Sequence, residues 1–115
     1  MSLAAPRPRV TSSMLGDFIG STVCLAGQVV EVDQVSRQWA RIQTGEGTQV
    51  QCRVTLGDEF ELVDGFVEVL GTVADKNSID MQFYASLGND FDLGAYDEAV
   101  RLSAQYPELF PQRSM

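Results

Sequence analysis

Histidine is absent from this 115-residue chain, and cysteine occurs only twice. Without histidine the chain cannot build a serine, histidine and aspartate triad or a histidine-containing metal site. Cys24 and Cys52 lie in separate strand-like stretches and outside any CxxC motif, which favours reduced thiols in a core over a metal site or a disulfide. We therefore expect no enzyme activity, no metal and no cofactor.

Basic residues are also scarce, since eight lysines and arginines stand against sixteen aspartates and glutamates and the net charge is −8. This charge repels polyanions at long range and weakens phosphate contacts. The sequence contains neither a basic-then-apolar leader nor an uninterrupted apolar run of about 18 residues. We expect an intracellular chain that does not span a membrane and that binds nucleic acid weakly on its own.

Two acidic clusters are the remaining candidates for catalytic carboxylates: Asp58, Glu59 and Glu61, and Asp97 with Glu98. The first cluster lies in a loop-like stretch and the second on the polar side of a predicted helix, so we expect solvated carboxylates at both. The glycines of the GEG motif at 45–47 lack the lysine and the helix start of a phosphate-binding loop.

The sequence pattern divides the chain into three parts. Residues 1–10 contain Pro6, Arg7, Pro8 and Arg9, a composition that suits an extended arm. Residues 11–90 begin with a short helical turn and continue with five strand-like stretches, and residues 91–115 hold a C-terminal helix and tail.

The five stretches alternate apolar and polar residues with the period of two that is typical of strands. They cover residues 23–33, 37–44, 48–55, 66–74 and 79–87. In the last one the alternation predicts Ile79, Met81, Phe83 and Ala85 on the inner face.

In the first stretch the apolar residues that should point into the core shift by one position part-way along the strand. Val23 and Leu25 share one phase, Val30 and Val32 share the other, and Gly27 lies between them. A glycine there indicates a bulge or sharp coil in a strand that serves both halves of a small barrel. Strands this amphipathic do not suit a parallel sheet, so we predict a closed, five-stranded antiparallel barrel of the OB-fold type, with a leading short helix and a terminal α-helix. An SH3-like barrel is the structural alternative.

Residues 91–110 predict one capped helix with an unusually broad apolar surface. Asp92 can act as N-cap, Phe91 can pack on Tyr96, and Pro107 ends the helix. At about 100° per residue the apolar side chains span roughly 200° of arc, whereas packing on one neighbour needs roughly 100°. The helix therefore either closes its own domain while well buried or binds partner chains.

With these elements in place, the chain resembles the family of the smallest subunit of replication protein A, the eukaryotic heterotrimeric complex that binds single-stranded DNA. The most specific segment is FDLGAYDEAV at 91–100, which runs into YPELFP at 106–111. Supporting segments are PRPRV and MLGDFIG near the N-terminus, VCLAGQV at 23–29, the GEG turn and GFVEVLGTV at 65–73. Their order and spacing agree nearly from end to end.

The resemblance implies a non-catalytic structural subunit that acts in DNA replication, repair and recombination in the nucleus. Its C-terminal helix would join those of the large and middle subunits in a three-helix bundle, and single-stranded DNA would bind mainly through these partners. Such a helix touches two neighbours, which would explain two adjoining apolar strips, near Tyr96 and Leu102. The implied interface residues are Leu93, Tyr96, Ala99, Val100, Leu102, Ser103, Tyr106 and Phe110.

A second candidate site is the outer face of the second and third strands, where contact with DNA is chemically reasonable. Its residues are Arg37, Trp39, Arg41 and Arg53. Guanidinium groups pair with phosphates, and an indole offers a stacking surface. The same residues could simply shield the barrel. Two other functions stay open at this point: a subunit of a related telomeric CST-like complex with the same barrel and helix, or a free-standing oligonucleotide-binding module.

Overall fold

The computed structural model describes residues 8–33, 35–36, 38–54 and 64–106. In these ranges a 3-10 helix at Ser12–Asp17 precedes five strands and one α-helix. The strands are β1 Thr22–Val32, β2 Trp39–Gln43, β3 Gln49–Val54, β4 Phe66–Asp75 and β5 Ser78–Gly88, and the helix α1 is Leu93–Gln105. The five predicted strands are confirmed, with ends that differ by at most two residues.

The strands close into a barrel in the order β1, β2, β3, β5, β4. Four neighbouring pairs are antiparallel, but β3 and β5 are parallel, with Cys52 opposite Ile79. The predicted barrel is confirmed, whereas the prediction that it is antiparallel throughout is wrong for this pair. An odd number of strands cannot alternate in direction all the way around a ring, so one pair must be parallel.

Strand β1 serves both halves of the barrel, as predicted. Its residues 22–28 pair with β4 and its residues 28–32 pair with β2. Gly27 lies where β1 crosses β2 closely, and a Cβ at this position would be 2.9 Å from Ile42 Cδ1. The phase changes later than predicted, at a bulge where Val30 has no partner on β2. Val30 is consequently 44% exposed, so its predicted inward orientation is wrong.

The barrel interior is filled by the alternating residues of all five strands. In β2 to β4 the alternating apolar residues point inward as predicted, although Val54 is only partly buried. The buried ones include Ala40, Ile42, Val50, Cys52, Val67, Val69 and Val73. Burial raises the pKa of the Cys52 thiol to about 12, as expected for an unreactive core cysteine.

In β5 the predicted alternation holds only for the first half. Ile79 and Met81 are buried, but Phe83 is 63% exposed, so its predicted inward orientation is wrong. Leu70 and Gly71 of β4 pair with Phe83 and Met81, which leaves one extra residue in β5 between them. This bulge reverses the phase, and the next residue, Tyr84, packs against the core instead.

The N-terminal residues that the structure describes lie along β1. The Pro8 carbonyl accepts a hydrogen bond from the Cys24 N–H, and the Val10 N–H donates to the Cys24 carbonyl, both at 2.9 Å. Within the 3-10 helix, Leu15 is fully buried and anchors the segment to the core. The described residues before the 3-10 helix are therefore held against β1 by backbone hydrogen bonds.

Candidate subunit interface

Helix α1 begins as its sequence predicts. The Asp92 carboxylate accepts a hydrogen bond from the Ala95 N–H at 3.0 Å, which makes it the N-cap. The Phe91 ring packs edge-on against Tyr96 with ring centroids 5.6 Å apart. The helix ends at Gln105, and the predicted stop at Pro107 lies outside the described residues.

One side of α1 docks on the barrel of its own chain. Val100 is only 5% exposed. The Tyr96 hydroxyl donates to Glu68 Oε2 on β4 at 2.6 Å, and the Arg9 Nε–H donates to the same oxygen at 3.1 Å. Burial and the hydrogen bond to Glu68 raise the pKa of Tyr96. Tyr96 and Val100 therefore fix the direction of the helix on the barrel.

Asp97 also belongs to the docked side, which corrects the prediction of a solvated carboxylate. Its side chain is 2% exposed and lies against the β2–β3 turn, residues 44–48. A Cβ at Gly45 would clash with this carboxylate, so the glycine permits the close approach. Sequence periodicity could not reveal this, because the burial of Asp97 depends on where the helix docks. Glu98, its neighbour, is exposed.

A different side of α1 is apolar and uncovered. Its residues follow each other at intervals of four, three and four, so they share one face. Leu102 is 40% exposed and Tyr106 is 49% exposed. We call this surface the exposed strip; it consists of Ala95, Ala99 and Leu102 of α1 and of Tyr106, the C-cap residue that follows the helix. At about 100° per residue it spans roughly 60° of arc.

The structure separates the predicted interface residues into groups. Ala99, Leu102 and Tyr106 lie on the exposed strip. Leu93, Tyr96 and Ser103 are half-buried, Val100 is buried, and Phe110 lies outside the described residues. Ala95 was not among the predicted residues, although its spacing of four from Ala99 is a signal that could have found it.

The second predicted site, on the outer face of β2 and β3, is electrostatically neutralised. The Arg41 guanidinium lies 5.4 Å from the centroid of the Trp39 ring and forms an ion pair with Glu31. Arg53, opposite Trp39 in the sheet, forms an ion pair of 2.8 Å with Asp80. Arg37 lies outside the described residues. The described arginines of this face thus already have carboxylate partners.

Among the described residues, no three side chains of the metal-ligating types His, Cys, Asp or Glu converge on a common point. Over the same ranges, no helix combines the length and the apolar content that crossing a membrane requires.

Comparison with known proteins decides the family. The family model described as Replication factor A protein 3 matches residues 1–110. This chain belongs to the Replication factor A protein 3 family. The resemblance to the smallest subunit of replication protein A is thereby confirmed.

Two relatives in the Replication factor A protein 3 family match along nearly their whole length. Replication factor A protein 3 of Schizosaccharomyces pombe is 28% identical over 105 residues, which is 91% of this chain and 95% of the relative. A 14 kDa subunit of replication protein A from Arabidopsis thaliana is 26% identical over 111 residues, covering 96% and 99%.

Solved structures agree with this family assignment. A chain in the structure of U. maydis replication protein A bound to single-stranded DNA is 31% identical, with a TM-score of 0.80 and coverage of 93% of this chain and 97% of that one. The telomere capping protein Ten1 of S. pombe has a TM-score of 0.67 at 17% identity, covering 86% and 98%, and this shows a shared fold. The predicted OB-type barrel with a terminal helix is confirmed by these neighbours.

Proposed function

We propose that this chain is a non-catalytic, structural subunit of replication protein A whose helix α1 joins helices of the large and middle subunits in a three-helix bundle. The complex acts in DNA replication, repair and recombination in the nucleus, and single-stranded DNA binds mainly through the partner subunits. The observation that carries the proposal is the exposed strip, which leaves the large side chains of Leu102 in α1 and of Tyr106 at its C-cap uncovered.

The geometry of α1 supports a helix partner. Ala95 and Ala99 are small enough to let a second helix approach closely, while Leu102 and Tyr106 extend the apolar contact towards the C-terminal end. The described strands form a closed barrel, so they offer no unpaired edge for strand addition by a partner. Tyr96 and Val100 contribute by holding α1 on the barrel, and Phe110 would extend the contact beyond the described helix.

Direct contact of this chain with DNA is secondary in the proposal. The ion pairs of Arg41 and Arg53 would have to break or be shared before either guanidinium could hold a phosphate. The net charge of −8 opposes the approach of a polyanion. Within the described part of the chain, the stacked Trp39 and Arg41 pair favours a base contact.

Co-expression of the full chain with the large and middle subunits, followed by measurement of the mass of the purified species, tests the proposal. We expect one copy of each subunit in a single complex. Recovery of this chain only with telomeric Stn1-like partners would favour the CST-like alternative. A chain that remains a monomer and binds single strands with an affinity that falls steeply with salt would instead be a free-standing module.

A further inference from the structure

The contact between α1 and the β2–β3 turn is built around a carboxyl group that is incompletely satisfied. Asp97 is 2% exposed, and its carboxylate lies so close to the turn that a Cβ at Gly45 would clash with Oδ2. Its Oδ2 atom is buried and has no hydrogen-bond partner within the described ranges. A buried carboxylate with an unpaired oxygen is costly, and the cost falls on its charged form.

The charged groups around Asp97 do not remove this cost. Glu46 of the turn and Arg101 of α1 face the carboxylate, and the Arg101 guanidinium lies 3.4 Å from Glu46 Oε2. Glu46 also accepts hydrogen bonds from the Ser12 hydroxyl at 2.8 Å and from the Ser13 N–H at 3.0 Å. Desolvation opposes the ionised form of Glu46, but these hydrogen bonds outweigh it and lower its pKa. Asp97 therefore faces a second, well-anchored negative charge.

From this arrangement we infer that Asp97 is a protonation-sensitive latch, which holds α1 on the β2–β3 turn more firmly when its carboxyl group is neutral than when it is ionised. Burial, and next the charge of Glu46, raise the pKa of Asp97, while Arg101 and the Gly45 N–H act in the opposite direction. The latch concerns the free chain and does not depend on the proposed subunit partners.

The sign of the pH dependence follows from linkage. Because the pKa of Asp97 is higher in the folded chain than the roughly 3.9 of an unfolded aspartate, its stabilising contribution is complete below about pH 4. This stabilising contribution is lost as the pH rises through the pKa that Asp97 has in the folded chain. Glu46, whose pKa is lowered, contributes the opposite dependence, because its stabilisation is lost as the pH falls. The difference between variants is therefore the informative measurement.

The test compares thermal unfolding of the full-length wild-type chain, Asp97→Asn and Glu98→Gln between pH 4 and pH 8. Asparagine keeps the shape of the Asp97 side chain and removes its charge, while Glu98→Gln removes the same charge from the exposed neighbour. We expect Asp97→Asn to raise Tm by about 4 °C at pH 7. The gain should shrink to less than about 1 °C near pH 4, and Glu98→Gln should change Tm by less than about 1 °C throughout.

Hydrogen exchange of the α1 amides in the wild-type chain provides a second measurement that needs no variant. Protection of these amides relative to β1 and β4 should decrease as the pH rises, after correction for intrinsic exchange rates. The latch would be refuted if Asp97→Asn lowered Tm, if it behaved like Glu98→Gln, or if the relative protection of α1 were independent of pH. None of these outcomes depends on recovering a complex with other subunits, so failure of the latch and failure of the proposed function remain distinguishable.

Discussion

Replacing the two large side chains of the exposed strip, Leu102→Ala together with Tyr106→Ala, should weaken assembly by an amount that follows from their exposure. Tyr106 is 49% exposed, which for an aromatic side chain corresponds to about 100 Å² of area open to a partner, or about 2.5 kcal/mol. Leu102 at 40% exposure adds about 1 kcal/mol. The loss of about 3.5 kcal/mol corresponds to a roughly 300-fold increase in Kd for the partner subunits.

The assay is a titration of the purified chain against the two partner subunits, with thermal unfolding of the free chain measured in parallel. The matched control is Glu98→Ala with Gln105→Ala, two exposed polar positions that border the exposed strip but do not belong to it. We expect both double variants to keep the stability of the free chain within about 1 kcal/mol of wild type. A Kd for Leu102→Ala with Tyr106→Ala within threefold of the control, in a folded chain, would show that the exposed strip is not the interface.

Three further predictions concern the close approach of β1 to β2, the contact between α1 and β4, and the outer face of β2 and β3. Gly27→Val should lower the free energy of unfolding in urea by about 1–3 kcal/mol, because the new side chain would collide with Ile42 of β2. The control Gly16→Ala should change this free energy by less than about 0.5 kcal/mol, because its new Cβ would only be in ordinary van der Waals contact with Lys76. Tyr96→Phe removes the hydrogen bond to the β4 carboxylate and should cost about 2 kcal/mol in the same measurement; an unchanged value would mean that this bond does not hold α1. Trp39→Ala combined with Arg41→Glu should change the affinity of the trimer for a short single strand less than threefold at fixed salt, and a loss of tenfold or more in fluorescence anisotropy would demonstrate direct contact.

The features that the sequence predicts well are those decided by neighbours along the chain. Asp92 caps the helix and Phe91 packs on Tyr96 because capping and stapling need only residues within one or two turns. The alternation of β2 to β4 likewise predicts their buried residues. Phe83 is different, since the bulge that turns it outward is set by how β5 pairs with β4. No pattern inside β5 indicates that bulge.

The candidate interface could be predicted only in part for the same reason. Periodicity shows that α1 is apolar over a broad arc. Which part of this arc packs on the barrel and which part stays exposed depends on how the helix docks. Docking places Tyr96 and Val100 on the barrel and leaves Leu102 free. It also buries Asp97, a residue that composition and spacing assign to the polar side.

The pairing of β1 with β4 constrains the order of folding events. Thr22 pairs with Thr72, fifty positions later in the chain, so the barrel cannot close by local contacts alone. Topologies dominated by such distant pairings fold in roughly milliseconds to seconds, whereas a helix of this length forms in microseconds or less. Glu68 and the β2–β3 turn reach their positions only when the barrel closes, and both are needed to orient α1. Correct orientation of α1 therefore waits for closure of the barrel, and any contact that requires an oriented α1, including the proposed helix bundle, follows that closure.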